Sequence, residues 1–308
     1  MPEHQPVLLD EVLAYLNPRS GQNFVDATVG GGGHARALLS HLGPTGTLFA
    51  LDYDPTAAAA ARELGSNVVP LLANFREVNR AVRYVAPDLP IHGILFDLGM
   101  SSLQLGDPTL GLSFQTTGPL DMRLDRSKTK DSNMTAASIV NTWREPELVR
   151  IFRQYGEEPL SRQIVAAIVR RRRLQPFLLT TDLAEVIVGV AARFGRRRTK
   201  IHPATRTFQA LRMAVNNELE NLAEGLKSGL DLIVTGGRLA VISFHSLEDR
   251  VVKNTFRAWA GKQIAGVPTN GMTVGRIITK KPVRPSPNEL DQNPRARSGK
   301  LRVFEKTI

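Results

Sequence analysis

Residues 24–35, with the sequence F-V-D-A-T-V-G-G-G-G-H-A, constrain the fold more than any other stretch of this chain. An apolar run turns through four glycines into a helical pattern. Glycine lets the backbone approach a ligand closely, and the first N–H groups of the following helix remain available to polar ligand atoms. The stretch therefore predicts a nucleotide-binding turn between a buried strand and a helix.

The turn alone leaves the identity of the nucleotide open. Counted from Gly30, the letters satisfy the dinucleotide pattern G-x-G-x-x-A. Counted from Asp26, they also fit an acid-x-x-x-G-x-G turn of the kind that binds S-adenosylmethionine. Both cofactors contain adenosine, so the choice between them depends on the rest of the chain.

Apolar runs alternate with helical patterns over residues 22–100, which predicts a parallel sheet with helical crossovers. The predicted strands are 23–29, 47–52, 67–72 and 92–98, and the predicted helices between them are 34–42, 55–64 and 75–84. An amphipathic pattern at residues 7–16 predicts a short helix before the sheet.

The pattern changes near residue 106, where strand alternation stops and charge-rich helical patterns follow. We predict an inserted all-helical domain at 106–202 and a discontinuous sheet domain formed by 1–105 and 203–308. After the insert we predict a helix at 203–230, a strand at 237–243, a helix at 247–259, strands at 274–279 and 301–306, and a surface loop at 280–300. A chain that finishes in two consecutive strands resembles the class I S-adenosylmethionine-dependent methyltransferases, which have a Rossmann-like, mostly parallel seven-stranded α/β sheet.

The chain is strongly basic. Its 40 lysines and arginines exceed its 29 aspartates and glutamates by 40 − 29 = 11 charges. This balance favours a polyanionic partner, and nucleic acid is the first candidate. A basic surface that serves only solubility is the alternative.

Cysteine is absent, and the six histidines show no paired spacing, so neither disulfides nor a metal site are expected. The first residues carry acids where a signal peptide needs a basic flank, and no apolar run approaches the ~20 residues of a membrane span. We expect a soluble, cytoplasmic protein with no metal and no membrane partner.

Acidic residues end two of the predicted strands. Asp52 stands where an acid accepts hydrogen bonds from ribose hydroxyls, whichever adenosine cofactor is bound. Asp54 competes for this role, but Asp54-Pro55 is more typical of a helix cap. Phe75 follows the third strand and would either flank the adenine or pack in the core.

Asp97 ends the fourth predicted strand in I-L-F-D-L-G-M-S-S, at the edge that faces cofactor and substrate in an open α/β sheet. Methyl transfer to an exocyclic amine needs an oxygen acceptor that holds the N–H groups, and a carboxylate or carbonyl at residues 97–100 would supply it. Asp97 is therefore the candidate catalytic residue. The alternative is an aspartate that only binds neighbouring backbone N–H groups.

Seven motifs in one order resemble the bacterial small-subunit ribosomal RNA cytosine-N4 methyltransferases. They are H-Q-P-V-L-L-D-E-V, G-G-G-H, D-L-G-M-S-S-L-Q-L, G-P-L-D-M-R, H-P-A-T-R-T-F-Q-A-L-R, S-F-H-S-L-E-D-R and N-P-R-A-R-S, and they extend from His4 to Ser298. The chain departs from this family at Gly31 and Ala35, where a charged residue and a serine are common.

The resemblance implies an enzyme that uses S-adenosylmethionine to methylate the N4 amine of one cytidine in the decoding region of small-subunit ribosomal RNA. It implies RNA binding, and cofactor contacts at Gly32, Gly33, His34, Asp52, Phe75, Asp97 and Gln104. The roles of His34 and Gln104 come from the resemblance alone.

Three further residues are candidates for contact with substrate or RNA. Arg123 and Arg206 lie in motifs at the two junctions of the predicted insert, and would bind RNA or pair with Asp121 or Glu218. His245 follows a strand and precedes a helix for which Ser246 and Asp249 have capping-box spacing, and it would orient substrate or fill a structural niche. The basic runs 170–173 and 196–200 are candidate phosphate contacts.

Three other functions compete with this interpretation. A DNA amino-methyltransferase usually displays a D-P-P-Y type tetrapeptide where this chain has D-L-G-M. A nicotinamide-dependent oxidoreductase would need a hydride-transfer acid or base that the sequence does not identify. A non-catalytic RNA-binding protein would leave the glycine turn and Asp52 unexplained. The sequence leaves open whether free RNA or the assembled small subunit is the substrate, and whether the chain forms a homodimer.

Overall fold

The computed structural model describes residues 5–99, 104, 106–125, 134–195, 201–262 and 273–308. By compactness the chain divides into two units, Met1–Gly99 with Leu219–Ile308 and Met100–Glu218. The sequence placed the corresponding boundaries at residues 106 and 202. Within the described ranges, no helix combines the length and the apolar character that a membrane span requires.

The first unit is built on a sheet of seven strands. They are β1 Phe24–Asp26, β2 Leu48–Asp52, β3 Val68–Leu72, β4 Ile91–Asp97, β5 Ile233–Ser243, β6 Gly275–Ile277 and β7 Lys300–Lys306. The strand order is β3-β2-β1-β4-β5-β7-β6, and β7 runs antiparallel to the other six strands. The predicted class I fold with a mostly parallel seven-stranded sheet is confirmed.

The helices in the described residues are α1 Leu9–Leu16, α2 Gly33–Leu42, α3 Pro55–Ala60, α4 Val78–Val85, α5 Ala136–Thr142, α6 Glu145–Gln154, α7 Ser161–Arg172, α8 Thr180–Arg193, α9 Thr205–Asn216, α10 Glu218–Leu232, α11 Ser246–Trp259 and α12 Pro287–Gln292.

The sheet of the first unit has a core on each face, because side chains alternate between the two faces of a strand. In β4, Ile94 and Phe96 therefore share a core with α4, α10 and α11, and Leu95 shares the opposite core with α1 and α2.

The second unit has its own core, formed by α5 to α9 around the buried rings of Phe152, Phe177 and Phe208. The charge-rich helical patterns expected in the insert are present here as α5 to α8. A short antiparallel bridge joins Pro119 to Leu179 in the same unit.

The single helix predicted at 203–230 is wrong, because the chain breaks it at Asn217. Asn217 adopts the left-handed conformation, with φ 49° and ψ 43°, and its N–H donates to the carbonyl of Met213. Asparagine tolerates this conformation better than most residues, since its short polar side chain can bond locally. Across the break, Nε and Nη2 of Arg212 donate to Oε1 and Oε2 of Glu218 at 2.6 and 2.8 Å.

The surface loop predicted at 280–300 is also incorrect, because this segment contains α12 and a 3₁₀ turn at Pro294–Ser298. Ser286 caps α12 through the N–H of Glu289, and Pro287 occupies the first helical position. Oε1 of Glu289 then accepts the N–H of Leu8 at 2.7 Å. The segment therefore holds the N-terminal part of the chain against the sheet unit.

Candidate functional site

The glycine turn leaves β1 in a conformation that glycine adopts readily. Gly30 and Gly32 have φ values of 46° and 77°, in the region that L side chains rarely occupy. The N–H of Gly30 donates to Oδ2 of Asp52 at 3.0 Å, which ties the turn to the end of β2. The two predicted parts of the adenosine site are thus in direct contact.

Asp52 is buried, with 8% of its surface exposed, and both of its carboxylate oxygens accept backbone N–H groups. Oδ1 accepts the N–H of Asp54 at 3.0 Å, and Oδ2 accepts that of Gly30. Burial raises the pKa of Asp52, and these hydrogen bonds oppose the rise only in part. Asp54 caps α3 by accepting the N–H of Thr56 at 2.8 Å, so it has the capping role that the sequence indicated.

His34 and Asp97 form the centre of the site. Nδ1 of His34 lies 3.4 Å from Oδ2 of Asp97, and Nε2 lies 3.0 Å from the carbonyl oxygen of Val7. Because a carbonyl can only accept, Nε2 carries a proton. Burial alone would lower the pKa of His34, but the hydrogen bond and charge of Asp97, followed by the charge of Asp26, raise it above its usual value.

Asp26 adds a fully buried carboxyl group to this centre. It is 1% exposed, and its Oδ1 accepts the N–H of Thr28 at 3.1 Å. Burial raises the pKa of Asp26 to about 7, although the charge of His34 and the Thr28 hydrogen bond oppose this shift. Thr28 also joins the ends of two strands, since its Oγ1 accepts the N–H of Asp97 at 2.7 Å.

Several polar groups in this centre have no partner among the residues that the structure describes. Oδ1 of Asp97 is buried there without a hydrogen-bond donor. The N–H groups of Gly33, His34 and Ala35, which open α2, have no acceptor in the same residues, and no side chain caps this helix. An unpaired carboxylate oxygen next to a helix N-terminus suits a ligand that presents both an ammonium and a carboxylate group.

Phe75 is half-buried at the first position of a 3₁₀ turn after β3. Its ring stands edge-on to that of Phe96, with centroids 6.0 Å apart. It also packs closely against Gly225 of α10. The core-packing role that the sequence allowed is therefore present, and contact with an adenine stays a prediction.

The N-terminal segment is a part of the site that sequence reasoning missed. The carbonyl of Val7 positions the ring of His34, and a side chain at Gly33 would meet Pro6 at 3.2 Å. The motif H-Q-P-V-L-L-D-E-V contains both Pro6 and Val7, but from the sequence it indicated only a family resemblance and not a contact with the glycine turn.

Three of the predicted residues lie in the second unit. Gln104 is buried there, with 8% of its surface exposed. Arg123 donates from Nε and Nη2 to the two oxygens of Asp121 at 2.7 and 2.8 Å, which is the ion pair that the sequence allowed as an alternative to RNA contact. Arg206 donates to the carbonyl of Glu157 at 3.3 Å, and it is Arg212 rather than Arg206 that pairs with Glu218.

Two arginines of the basic run 170–173 make contacts within the second unit. Nη1 of Arg172 donates to the carbonyls of Val140 and Trp143, both at 2.8 Å, and Arg171 lies over the ring of Phe177. The run 196–200 and residue 100 of the expected acceptor stretch 97–100 lie outside the described residues.

His245 caps α11 in the first unit. Its Nδ1 accepts the N–H of Glu248 at 3.3 Å, and Oε2 of Glu248 accepts the N–H of His245 at 3.2 Å. The sequence assigned this capping box to Ser246 and Asp249, one residue later. That assignment is wrong, because the helix begins at Ser246 and its cap is the preceding residue.

Comparison with known proteins identifies relatives that match this chain over nearly its full length. A protein named "Ribosomal RNA small subunit methyltransferase H" from Thermomicrobium roseum is 49% identical over 312 residues, covering 98% of this chain and 93% of that protein. One of the same name from Carboxydothermus hydrogenoformans is 44% identical over 310 residues, covering 98% and 97%. A solved rRNA methylase from Streptococcus thermophilus is only distantly similar, with 14% identity, coverage of 97% and 94%, and a TM-score of 0.39.

A family model also matches almost the entire chain. The model describes the MraW methylase family, and it matches residues 1–307. The matched range includes every strand of the sheet and the whole of the second unit. The chain therefore belongs to the MraW methylase family.

Proposed function

We propose that this protein transfers a methyl group from S-adenosylmethionine to the exocyclic N4 amine of a cytidine in the decoding region of small-subunit ribosomal RNA. The observation that carries the proposal is the open carboxylate oxygen of Asp97 beside the glycine turn. Because small ribosomal subunits of bacteria are assembled in the cytoplasm, the proposal also places the protein there.

The cofactor follows from the family. A methylase needs a methyl donor, so membership of the family decides between the two cofactors that the glycine turn left open, in favour of S-adenosylmethionine. When bound, S-adenosylmethionine supplies an electrophilic methyl group on a positively charged sulfur, which keeps the C–S electron pair as the methyl leaves. The residues present fit its other groups: Asp97 and the N-terminus of α2 suit an amino acid, and Asp52 suits a ribose.

The acceptor amine sets a further demand. Its lone pair is delocalised into the cytosine ring, so an oxygen must accept its N–H groups and orient the nitrogen for attack on the methyl carbon. A carboxylate oxygen has more than one lone pair, which lets Asp97 serve the amine as well as the cofactor. As the N–C bond forms, the nitrogen loses one proton to Asp97 or to water.

Small-subunit ribosomal RNA is the proposed substrate because the curated relatives at 44% and 49% identity are named for it. The excess of 11 positive charges suits an RNA partner. The D-L-G-M sequence at Asp97 differs from the tetrapeptide of DNA amino-methyltransferases, which supports RNA over DNA.

Radiolabelled methyl transfer from S-adenosylmethionine tests the proposal on three substrates: free small-subunit ribosomal RNA, assembled small subunits and DNA. Digestion of the labelled product to nucleosides, followed by mass spectrometry, should yield N4-methylcytidine. Label only in DNA, or in 5-methylcytidine, would contradict it. The comparison of free RNA with assembled subunits also identifies the natural substrate.

A further inference from the structure

A basic cavity in the first unit is separate from the glycine turn and the strand-end carboxylates. It has a volume of about 340 Å³ and is lined by residues of α11 and β7 and by the chain that follows β6. Its basic lining residues are Lys253, Arg257, Lys262, Lys280, Lys281 and Arg302. None of the described lining residues is acidic, and the sequence 263–272, Q-I-A-G-V-P-T-N-G-M, contains no acidic residue.

Only one of these basic side chains is paired in the described part of the molecule. Nε of Arg302 donates to Oδ1 of Asp249 at 2.7 Å, and Lys300 lies 3.8 Å from Oδ2 of the same carboxylate. Burial opposes ionisation of Asp249, but the hydrogen bond and charge of Arg302, together with Lys300, lower its pKa. The other five basic residues form no ion pair with any described residue, and all but Lys253 are exposed.

The cavity lies close to the reactive edge of the sheet. Arg302 of β7 pairs with Val241 of β5, which pairs with Phe96 of β4, so the three residues form one row across the strands. Phe96 immediately precedes Asp97. Adjacent strands are about 4.8 Å apart, so the backbone of Arg302 lies roughly 10 Å from that of Phe96, the residue before the candidate catalytic Asp97.

We propose that this cavity binds phosphates of the ribosomal RNA backbone next to the target nucleotide. The proposal rests on the function proposed above. A surface whose described lining has four exposed cations without an ion pair and no acid matches the phosphodiester backbone of RNA, because each contact releases counterions from the RNA. Among the described lining residues the one aromatic ring, that of Phe256, is not available for base stacking, since Phe256 is 1% exposed and packs against Trp259 and Phe304. Backbone contact is therefore favoured over base recognition.

The test removes three exposed cations in one variant, Arg257→Gln/Lys280→Gln/Lys281→Gln. The dissociation constant for small-subunit ribosomal RNA is measured by filter binding over a series of KCl concentrations. Each phosphate-binding cation contributes about 1 to the slope of log affinity against log salt, so the variant should lower the slope by about 2 to 3 and weaken binding ~10-fold or more at low salt. In turnover, KM for the RNA should rise while kcat stays unchanged.

The matched control is Arg19→Gln/Arg62→Gln/Lys227→Gln, which removes the same charge from exposed positions elsewhere in the first unit. Equal losses in the two variants would overturn the proposal, because only net charge would then matter. A loss of affinity for assembled subunits but not for free RNA would also overturn it, since the partner would then be a ribosomal protein. If the wild-type chain transfers no methyl group to ribosomal RNA, the proposed function fails; if it does and the cavity variant binds like the control, only this inference fails.

Discussion

Nδ1 of His34 lies 3.4 Å from Oδ2 of Asp97, and the opposite nitrogen of the same ring lies 3.0 Å from the carbonyl of Val7. The imidazole therefore bridges the N-terminal segment and the end of β4. Because it engages only one oxygen of the carboxylate, it fixes the orientation of Asp97 and leaves Oδ1 available to a ligand. His34 is thus a positioning residue, and Asp97 is the group that it positions.

Replacement of Asp97 by Asn should weaken cofactor binding and slow methyl transfer. Asparagine keeps the size of the side chain but removes the charge that an ammonium group would meet. Loss of a charge-assisted hydrogen bond costs about 1.5–3 kcal/mol, so the affinity for S-adenosylhomocysteine should fall about 10- to 100-fold by calorimetry. Asp231→Asn, which alters an exposed carboxylate in the same unit, serves as the control. If Asp97→Asn bound S-adenosylhomocysteine with wild-type affinity, Asp97 would not be a cofactor contact.

Asp52 and Asp54 can be distinguished with a cofactor analogue that lacks the 2′-hydroxyl. If Asp52 accepts hydrogen bonds from the ribose, the wild-type chain should prefer S-adenosylhomocysteine over its 2′-deoxy analogue by about 10-fold. Asp52→Asn should lose most of this preference. Asp54→Asn should retain it, because asparagine caps α3 as well as aspartate does. A preference lost only in Asp54→Asn would assign the ribose to Asp54.

The raised pKa of Asp26 predicts a stability that falls as pH rises. The folded chain holds the Asp26 proton up to pH about 7, whereas the unfolded chain releases it near 3.8. Between these values the unfolded state binds fewer protons, so the free energy of unfolding should decrease by up to about 1.4 kcal/mol per pH unit. His34 acts in the same direction, because its raised pKa gives stability below about pH 6.5 that is lost as pH rises through the folded value.

Urea unfolding of the cofactor-free chain measures this dependence. A Trp143→Phe background leaves Trp259 as the tryptophan reporter, within the first unit. Asp26→Asn should flatten the fall in stability between pH about 4.5 and 6.5, since asparagine does not titrate. An unchanged slope in this variant would mean that Asp26 is not the titrating group.

His245→Ala should destabilise α11 by about 1 kcal/mol, because it removes the N-cap. His245→Asn should recover most of this loss, as asparagine is among the best capping residues, and should methylate RNA within about two-fold of the wild-type rate. Thermal melts and single-turnover rates are the measurements. If His245→Asn restored stability but lowered the methylation rate ten-fold, His245 would instead contact the substrate.

The ion pair between Arg123 and Asp121 predicts that Arg123→Ala acts mainly on stability. Arg123 is 29% exposed and Asp121 17%, so the bidentate pair is partly screened by solvent and should be worth about 1 kcal/mol. A double-mutant cycle with Asp121→Ala isolates this coupling energy. A large rise in KM for RNA, with no coupling energy in the cycle, would favour direct RNA contact.

The strand-end positions of Asp52 and Asp97 were predictable, because each ends an apolar run in an alternating α/β pattern. Their partners were not. His34 bonds to residues that are 27 and 63 positions away along the chain, and no local pattern encodes such contacts. The fold class depended on element order, which is a property of the whole chain, whereas the site depended on contacts between distant segments.

Two of the errors have local causes. H-S-L-E and S-L-E-D have the same capping spacing, and only the backbone conformation of His245 decides between them. The helix break at Asn217 comes from one residue in the left-handed conformation, and the Arg212–Glu218 pair that spans it has no marker in the helical pattern of the flanking residues. The basic cavity was missed for another reason: its cations come from three separate segments, so no run of charge marks it.

The pairing of β4 with β5 affects how the chain can fold during synthesis. The two strands are hydrogen-bonded neighbours, for example at Ile94 and Leu239, yet residues 98–232 separate them in sequence. While the ribosome makes those residues, β4 is an apolar edge with no partner, and such edges pair readily with other chains. Compaction of the second unit shortens the loop that must close before β5 can add, which lowers the entropic cost of that step. The helical unit thus helps to complete the sheet that it interrupts.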